Sequence, residues 1–400
     1  MCNRLWLLLA LWVALPAWSQ VRLTPEPDAV VLPQSLYGQD ATGRAIRALE
    51  KAWRTNPQQS VNAWPYARAA FTQGLSTGDM RWLGNAKAAL MPWWNAQSME
   101  AEGFYLRGLI KQGFHHFDEG LDDINQAIAR SPDQAEYWSW RFVLHVLLSR
   151  FSQAQSDLQH MQRWLGAEET AIYRAILDYR TGHADRAIAP LRRAMSLPRF
   201  QDGFAQEWVG FHLGEALRLS GQTEAALAIW QQQLAAQPES HWLRLSLVTE
   251  LNHRSLHQKA RALAIRDKPL EQLSDALLAQ VLIAEQGMQS ARTTQVQSMM
   301  AARIEAQEQR QDGLIERPTL VYYIDAGSDI SKGLELAVRN WSTQQDPPDA
   351  LLLMKAAWLS NQPRMAQPVF QWLKQSGYRD PLLNHWVNRL QAHPAWSQAS

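Results

Sequence analysis

Residues Ala101 to Gln134 read AEGFYLRGLIKQGFHHFDEGLDDINQAIARSPDQ, and this stretch decides the fold. Its second half carries Phe117, Leu121, Ile124 and Ile128 at helical spacing, so one face is apolar and the other polar. Its first half is a second apolar segment, and a short turn separates the two. Pro132 ends the second helix, because proline has no N–H to give and clashes with the preceding turn. From Ala45 onward the whole chain repeats this helix, turn, helix pattern. Such a pattern calls for a search for internal repeats before any other reading.

The stretch resembles the 34-residue tetratricopeptide unit. That unit takes small residues at its positions 8, 20 and 27, which here are Gly108, Gly120 and Ala127. Small side chains let the paired helices cross closely. Its large apolar position is Ile124 and its proline is Pro132. The next unit begins at Ala135, with Ala154 and Leu158 in register. Another begins near Glu168, with Ala175, Ala187, Leu191 and Ala194 in place, followed by an insertion around Pro198 to Gly203. Glu207 to Ser240 is a clear unit, with Gly214, Ala226, Trp230 and Pro238. The pattern loosens outward from there. His241 opens a degenerate unit that keeps Ala260 but has Asp267 where a small residue belongs. Trp64 to Trp94 is a looser unit with Gly78 in its turn, and Ala45 to Pro57 is a lone helix expected to pack on it. Leu270 to Asp312 is helical but off-register. Leu320 to Ile324 is short and apolar, and its period does not distinguish strand from helix. Pro347 and Pro381 bracket a further helix pair. The segments GDMRWLGNAKAALMPWW and LELAVRNWSTQQDPPDALLLMKAAW make the whole chain similar to a group of exported bacterial repeat proteins.

The resemblance implies an all-α fold, an α-solenoid of helix-turn-helix repeats wound into a right-handed superhelix. Four regions result: a signal peptide over 1–19, an extended Pro-containing leader over 20–44, a repeat array over 45–270, and degenerate helical repeats over 271–400. The signal rests on Arg4, the apolar run Leu5 to Leu15, Pro16, and the small residues Ala17 and Ser19 before Gln20. That run is shorter than the roughly 20 residues a membrane span needs. The single cysteine, Cys2, lies inside the signal, which suits a chain that works in an oxidising compartment. The expected location is therefore exported and periplasmic.

Loss of the signal removes Arg4 and no acid, which leaves 38 basic against 38 acidic side chains. A balanced charge offers no electrostatic grip on nucleic acid or anionic lipid. No further apolar stretch is long enough to span a membrane.

By the resemblance, positions 2, 5, 9 and 12 of each first helix face the concave groove of the superhelix. These include Glu102, Tyr105 and Leu109, then Glu136 and Val143, then Glu169 and Tyr179. They continue with Trp208, Phe211, Glu215 and Arg218, and then Trp242. A groove of aromatic, aliphatic and charged side chains suits a protein or peptide with apolar anchors. The expected partner-binding residues are Tyr105, Leu109, Tyr179, Trp208, Phe211, Glu215, Arg218 and Trp242. Trp138, Trp164, Trp230, Trp341 and Trp372 are expected in the core.

Resemblances to catalytic motifs are weak. Gly74-Leu75-Ser76-Thr77-Gly78 matches G-x-S-x-G, but the preceding residues are helical and the motif needs a strand-to-helix elbow. His115 and His116 stand beside Asp118, Glu119, Asp122 and Asp123, where acids suit the first turn of a helix. His253 and His257 straddle a turn. Zinc-protease, P-loop and dinucleotide motifs are absent. No cofactor or metal is expected. The sequence reads as an interaction scaffold and not an enzyme; the alternative is a cell-envelope hydrolase on a helical-repeat body, with Glu215 as its acid.

Overall fold

The structure, a computed structural model, describes residues 40–201, 203–266, 268–309 and 314–397. The expected signal, the leader up to residue 39, and Asp267 lie outside the described residues. The chain divides into two units after Ala48, and the second unit, from Leu49 onward, holds all the helix pairs.

Among the described residues every regular element is a helix. After α1 (Ala41–Thr55) come antiparallel pairs: α2 (Ser60–Thr77) with α3 (Arg81–Leu90), and α4 (Ala101–Gly113) with α5 (Phe117–Arg130). Then α6 (Ala135–Leu147) pairs with the first half of α7 (Phe151–Arg180), and the second half of α7 pairs with α8 (Ala184–Met195). Gly166, at φ 78° and ψ 174°, breaks α7 into its two halves. Next are α9 (Gly203–Leu219) with α10 (Thr223–Ala236), and α11 (His241–His253) with α12 (His257–Ile265). The pairs continue as α13 (Asp275–Gly287) with α14 (Thr293–Gln309), and α15 (Arg317–Ile324) with α16 (Ile330–Thr343). Last come α17 (Pro347–Leu359) with α18 (Gln367–Ser376), then α19 (Pro381–Gln391). This is the all-α solenoid that the repeat pattern implies. Leu320 to Ile324 is helix α15 and not strand; its residues are buried on every side, so no polar face marks a period.

The expected close crossings are present. A Cβ on Gly108 would stand 2.8 Å from the carbonyl oxygen of Gly120, closer than packed atoms allow. At Gly214 the room is taken by the indole of Trp230, which is 1 % exposed and donates to the Phe211 carbonyl at 3.2 Å. Trp230 then heads a core of Leu227, Leu234, Leu243 and Leu247 between successive pairs. Trp53 of α1 stacks on Tyr66 at 5.0 Å. Ser76 donates to the Gln73 carbonyl inside α2, so it sits on no nucleophile elbow.

Each turn within a pair needs one left-handed residue. Glycine fills it at Gly78, Gly182, Gly221 and Gly327; His115, Ser149, Ser255, Gln289 and Asn361 fill it elsewhere. Ser255 to Gln289 is one unit length, so α13 and α14 keep the phase that looked lost in sequence. The ion pair Arg107–Asp123, at 2.6 Å, joins the two helices of one unit. Arg141–Asp157, also at 2.6 Å, repeats it at the same places one unit later.

The array also touches itself across long sequence separations. The turn of one pair meets the connection between pairs much further along. Trp242 donates to the Leu75 carbonyl at 2.8 Å, and the Gly78 backbone packs on the His241 ring. Trp372 donates to Ser149 Oγ at 2.7 Å. Gly182 lies against the Gly377 carbonyl. Arg180 pairs with Asp346 at 2.8 Å and Arg218 with Asp380 at 3.0 Å. One seam therefore runs along the turn edge of the earlier units.

Candidate functional site

The face of the array formed by the first helix of each pair carries many aromatic and charged side chains. On α9, Trp208 and Phe211 are one turn apart and His212 lies beside them. Trp208 is 5.0 Å from Tyr173 and 5.4 Å from His212, both edge-on or tilted. Phe211 meets Trp242 of α11 edge-to-face at 5.8 Å. Tyr173, Trp208, Phe211 and Trp242 are each half-buried and follow one another in ring-to-ring contact along this face. Edge-to-face rings of this kind hold each other without covering their faces.

Tyr179, Glu215 and Arg218 form a different group at the seam. Tyr179 is buried and shares a 2.8 Å hydrogen bond with His212 Nδ1. Arg218 joins Glu215 at 3.1 Å to Asp380 at 3.0 Å. These charges tie α9 to the start of α19. Burial, helped by the Arg180 charge, pushes the His212 imidazole down to about 3, so it is neutral at neutral pH. Burial also raises the Glu250 carboxyl, which faces the same group.

Tyr105 and Leu109 are not open to a ligand. Tyr105 is fully buried, with the Arg68 guanidinium over its ring at 5.2 Å and Tyr137 against it at 4.6 Å. Leu109 is buried as well. Of the eight expected contact residues, then, Trp208, Phe211 and Trp242 adjoin one another and stay partly exposed, although Trp242 also reaches the seam through its bond to the Leu75 carbonyl. Glu215 and Arg218 pair with each other at the seam, and Tyr105, Leu109 and Tyr179 are interior. The cause is local covering by neighbouring first helices, which come closer than an open groove assumes.

Four residues that sequence reading did not single out belong to this face. Arg68 bonds to Glu102 and Glu136, 34 and 68 residues away, both at 2.8 Å. That spacing was a signal available in sequence. Tyr137 donates to Glu102 at 3.4 Å. Tyr173 stands one turn after Glu169, and His212 links the two aromatic groups. Burial pushes the Tyr137 and Tyr173 hydroxyls up to about 12 each. Among the tryptophans expected in the core, Trp138, Trp230, Trp341 and Trp372 are buried, but Trp164 is 44 % exposed. It lies half a turn before the break at Gly166.

No described helix is long and apolar enough to cross a membrane. Among the described residues no group of three or more His, Cys, Asp or Glu side chains converges as metal ligands would. His115 stacks on Phe117 at 5.3 Å, and His257 hydrogen-bonds Asn252 at 3.2 Å across the α11–α12 turn.

A repeating helix pair with close small-residue crossings defines a tetratricopeptide-type solenoid, and a solved structure agrees on that fold. A chain of the APC/C hetero-tetramer Cut9-Hcn1 superimposes with a TM-score of 0.50 at 14% identity, covering 88% of this chain and 66% of that one. That is just under two thirds of the other chain's length. Human IFIT1, in a dimer with PPP-AAAA, gives a TM-score of 0.43 at 13% identity over 90% of this chain and 88% of that one. At 14% identity the likeness to the Cut9-Hcn1 chain is one of fold alone. No protein-family model matches the chain, and no curated protein matches it.

Proposed function

We propose that the protein is an exported interaction scaffold that holds a protein or peptide partner on the inner face of its helical array. The half-exposed strip Tyr173, Trp208, Phe211 and Trp242 carries this reading. Binding energy at interfaces concentrates in a few aromatic anchors set in partly desolvated surroundings. The strip supplies such anchors on rigid helices, so little ordering is lost on binding. Export is supported by the Arg4, Leu5–Leu15, Ala17–Ser19 layout, and the periplasm is the expected compartment. Nucleic acid is not the proposed partner, because basic and acidic side chains balance. The pairing of Glu215, the acid named for the hydrolase alternative, with Arg218 favours the scaffold reading.

A paired measurement tests the site. Trp208→Ala should weaken partner retention by about 2 kcal/mol or more with folding largely kept. Trp230→Ala should lower the melting temperature instead. If Trp208→Ala unfolds the protein while Trp230→Ala only loses the partner, inside and outside are reversed. Cell fractionation with N-terminal sequencing tests export; a full-length cytoplasmic product would overturn it.

A further inference from the structure

The seam and the aromatic strip meet on three consecutive residues. Ser240, His241 and Trp242 open α11, and they face two ways. Towards α9, the Ser240 hydroxyl accepts from the Leu243 N–H at 3.2 Å and donates to Glu207 Oε1 at 2.6 Å. Ser240 is buried, and a bond to a carboxylate is stronger than one between neutral groups. Glu207 directly precedes Trp208. Towards α2, the Trp242 indole donates to the Leu75 carbonyl, 167 residues earlier, at 2.8 Å, and the His241 ring fills the space beside Gly78. The Trp242 ring itself packs edge-to-face on Phe211 at 5.8 Å. Phe211 and Trp208 each touch His212, at 5.1 Å and 5.4 Å. An unbroken chain of contacts therefore runs from the α2–α3 turn to Trp208.

The residue at the turn shows how close this approach is. His115, Ser149, Ser255, Gln289 and Asn361 hold the left-handed conformation in other pairs, so the conformation alone does not demand glycine. At Gly221 and Gly327 a Cβ would meet nothing within 4 Å. At Gly78 it would fall inside the His241 imidazole. Glycine at 78 thus serves the contact with α11 as well as the turn.

We infer that the α2–α3 turn is a clasp that fixes the start of α11 and thereby positions Phe211 and Trp208 in the binding strip. Leu75, Gly78 and His241 are positioning residues that need touch no partner. The use of the strip rests on the scaffold reading. A solenoid normally depends on contacts between adjacent repeats. Here the shape of a binding face is also set by a unit far away in sequence, through packed side chains and a rigid helix.

The test is fluorine NMR of the full chain labelled with 5-fluorotryptophan. Trp208→Phe, Trp242→Phe and Trp164→Phe assign the three resonances that matter. Gly78→Ala displaces the His241 ring and shifts the Trp242 and Trp208 resonances by more than a linewidth, while exposed Trp164 stays in place. Gly327→Ala is the control, because it imposes similar backbone strain, at φ 66° against 67°, in open space. It shifts neither strip resonance. A shift of Trp242 without Trp208, no shift of either, a shift that includes Trp164, or the same shift in Gly327→Ala overturns the inference. A second reading needs no variant. In native-state hydrogen exchange of the unaltered chain, amides of the α2–α3 turn and of the first turn of α11 open at the same urea concentration, as parts of one unit do. Opening of the turn at lower urea than α11 overturns the clasp. Neither reading needs a partner, so the clasp can fail while the scaffold stands; the scaffold is tested separately, by partner retention in Trp208→Ala.

Discussion

Arg218→Met cuts the seam at its most buried ion pair and keeps a side chain of similar length. The Arg218 side chain is 18 % exposed and that of Asp380 is 5 % exposed, at a separation of 3.0 Å. Removing one partner of a buried pair costs about 3–5 kcal/mol, because the other charge is left without compensation. Two facts set this case at the low end. Asp380 keeps the Leu382 N–H at 2.7 Å and the Tyr378 hydroxyl at 3.5 Å. Arg218 is also partly reached by water. Glu215 loses its 3.1 Å partner at the same time, so the expected loss is about 3 kcal/mol. In a solenoid, stability is close to a sum of neighbour terms. The loss should therefore appear first as local opening. Hydrogen exchange should speed up at Gly182 and Gly377, which approach each other near this pair, while α4 and α5 stay protected. The double variant Arg218→Met with Asp380→Asn should show coupling of roughly 2 kcal/mol in urea unfolding, within the range for contacting groups. A single variant within about 0.5 kcal/mol of wild type, the range of neutral surface changes, with unchanged exchange at Gly182 and Gly377, would refute the seam.

The other predictions use the same logic. Gly214→Leu should destabilise by about 1–3 kcal/mol or more, because its side chain enters the space of the Trp230 indole; a neutral urea midpoint counts against that crossing. Trp230→Ala should cost about 3–5 kcal/mol by opening a cavity under the Leu227, Leu243 and Leu247 cluster, read by thermal unfolding. Acid should loosen the seam. Burial holds His115, His241 and His253 down at about 4 each, and all three lie where distant units meet. Arg317 and His116 press on the first, Arg244 and Lys268 on the second, and Lys355 on the third, where Asp325 opposes. Since folding lowers these values from 6.5, their contribution is whole above that pH and is lost as pH falls towards about 4. Urea midpoints should therefore drop across that window, and a flat profile would contradict it.

Much of the array was legible because its crossings and stops demand particular residues. Gly108 with Gly120, and Pro132, can hardly be replaced, so they mark the register in sequence. The turn position is less selective. Ser255, Gln289 and Asn361 take the left-handed conformation without being glycine, which hid the phase beyond Leu270. Helix α15 is buried all round, so it offered no period to read. The seam was not legible at all. Its hydrogen bonds join residues 162, 167 and 223 apart, and nothing local at Arg218, Trp242 or Trp372 announces the partner. The inner face was legible in part. An α-helix turns by about 100° per residue, and the assumed register aimed Trp208, Phe211 and Trp242 at an open surface. The same register placed Tyr105, Leu109 and Tyr179 under neighbouring side chains, because burial depends on how near the next helix comes. Arg68 was passed over although it stands one and two unit lengths before Glu102 and Glu136, because the looser first unit hid that register.

The central claim is that a partner sits on the strip between Tyr173 and Trp242. The most direct measurement places a photo-crosslinking side chain at Phe211 in the living cell, with the exposed Trp164 position as the comparison. Illumination should join a distinct protein to the Phe211 position and leave the Trp164 position without that adduct. An adduct at Trp164 but none at Phe211, or no adduct at either, would contradict the account.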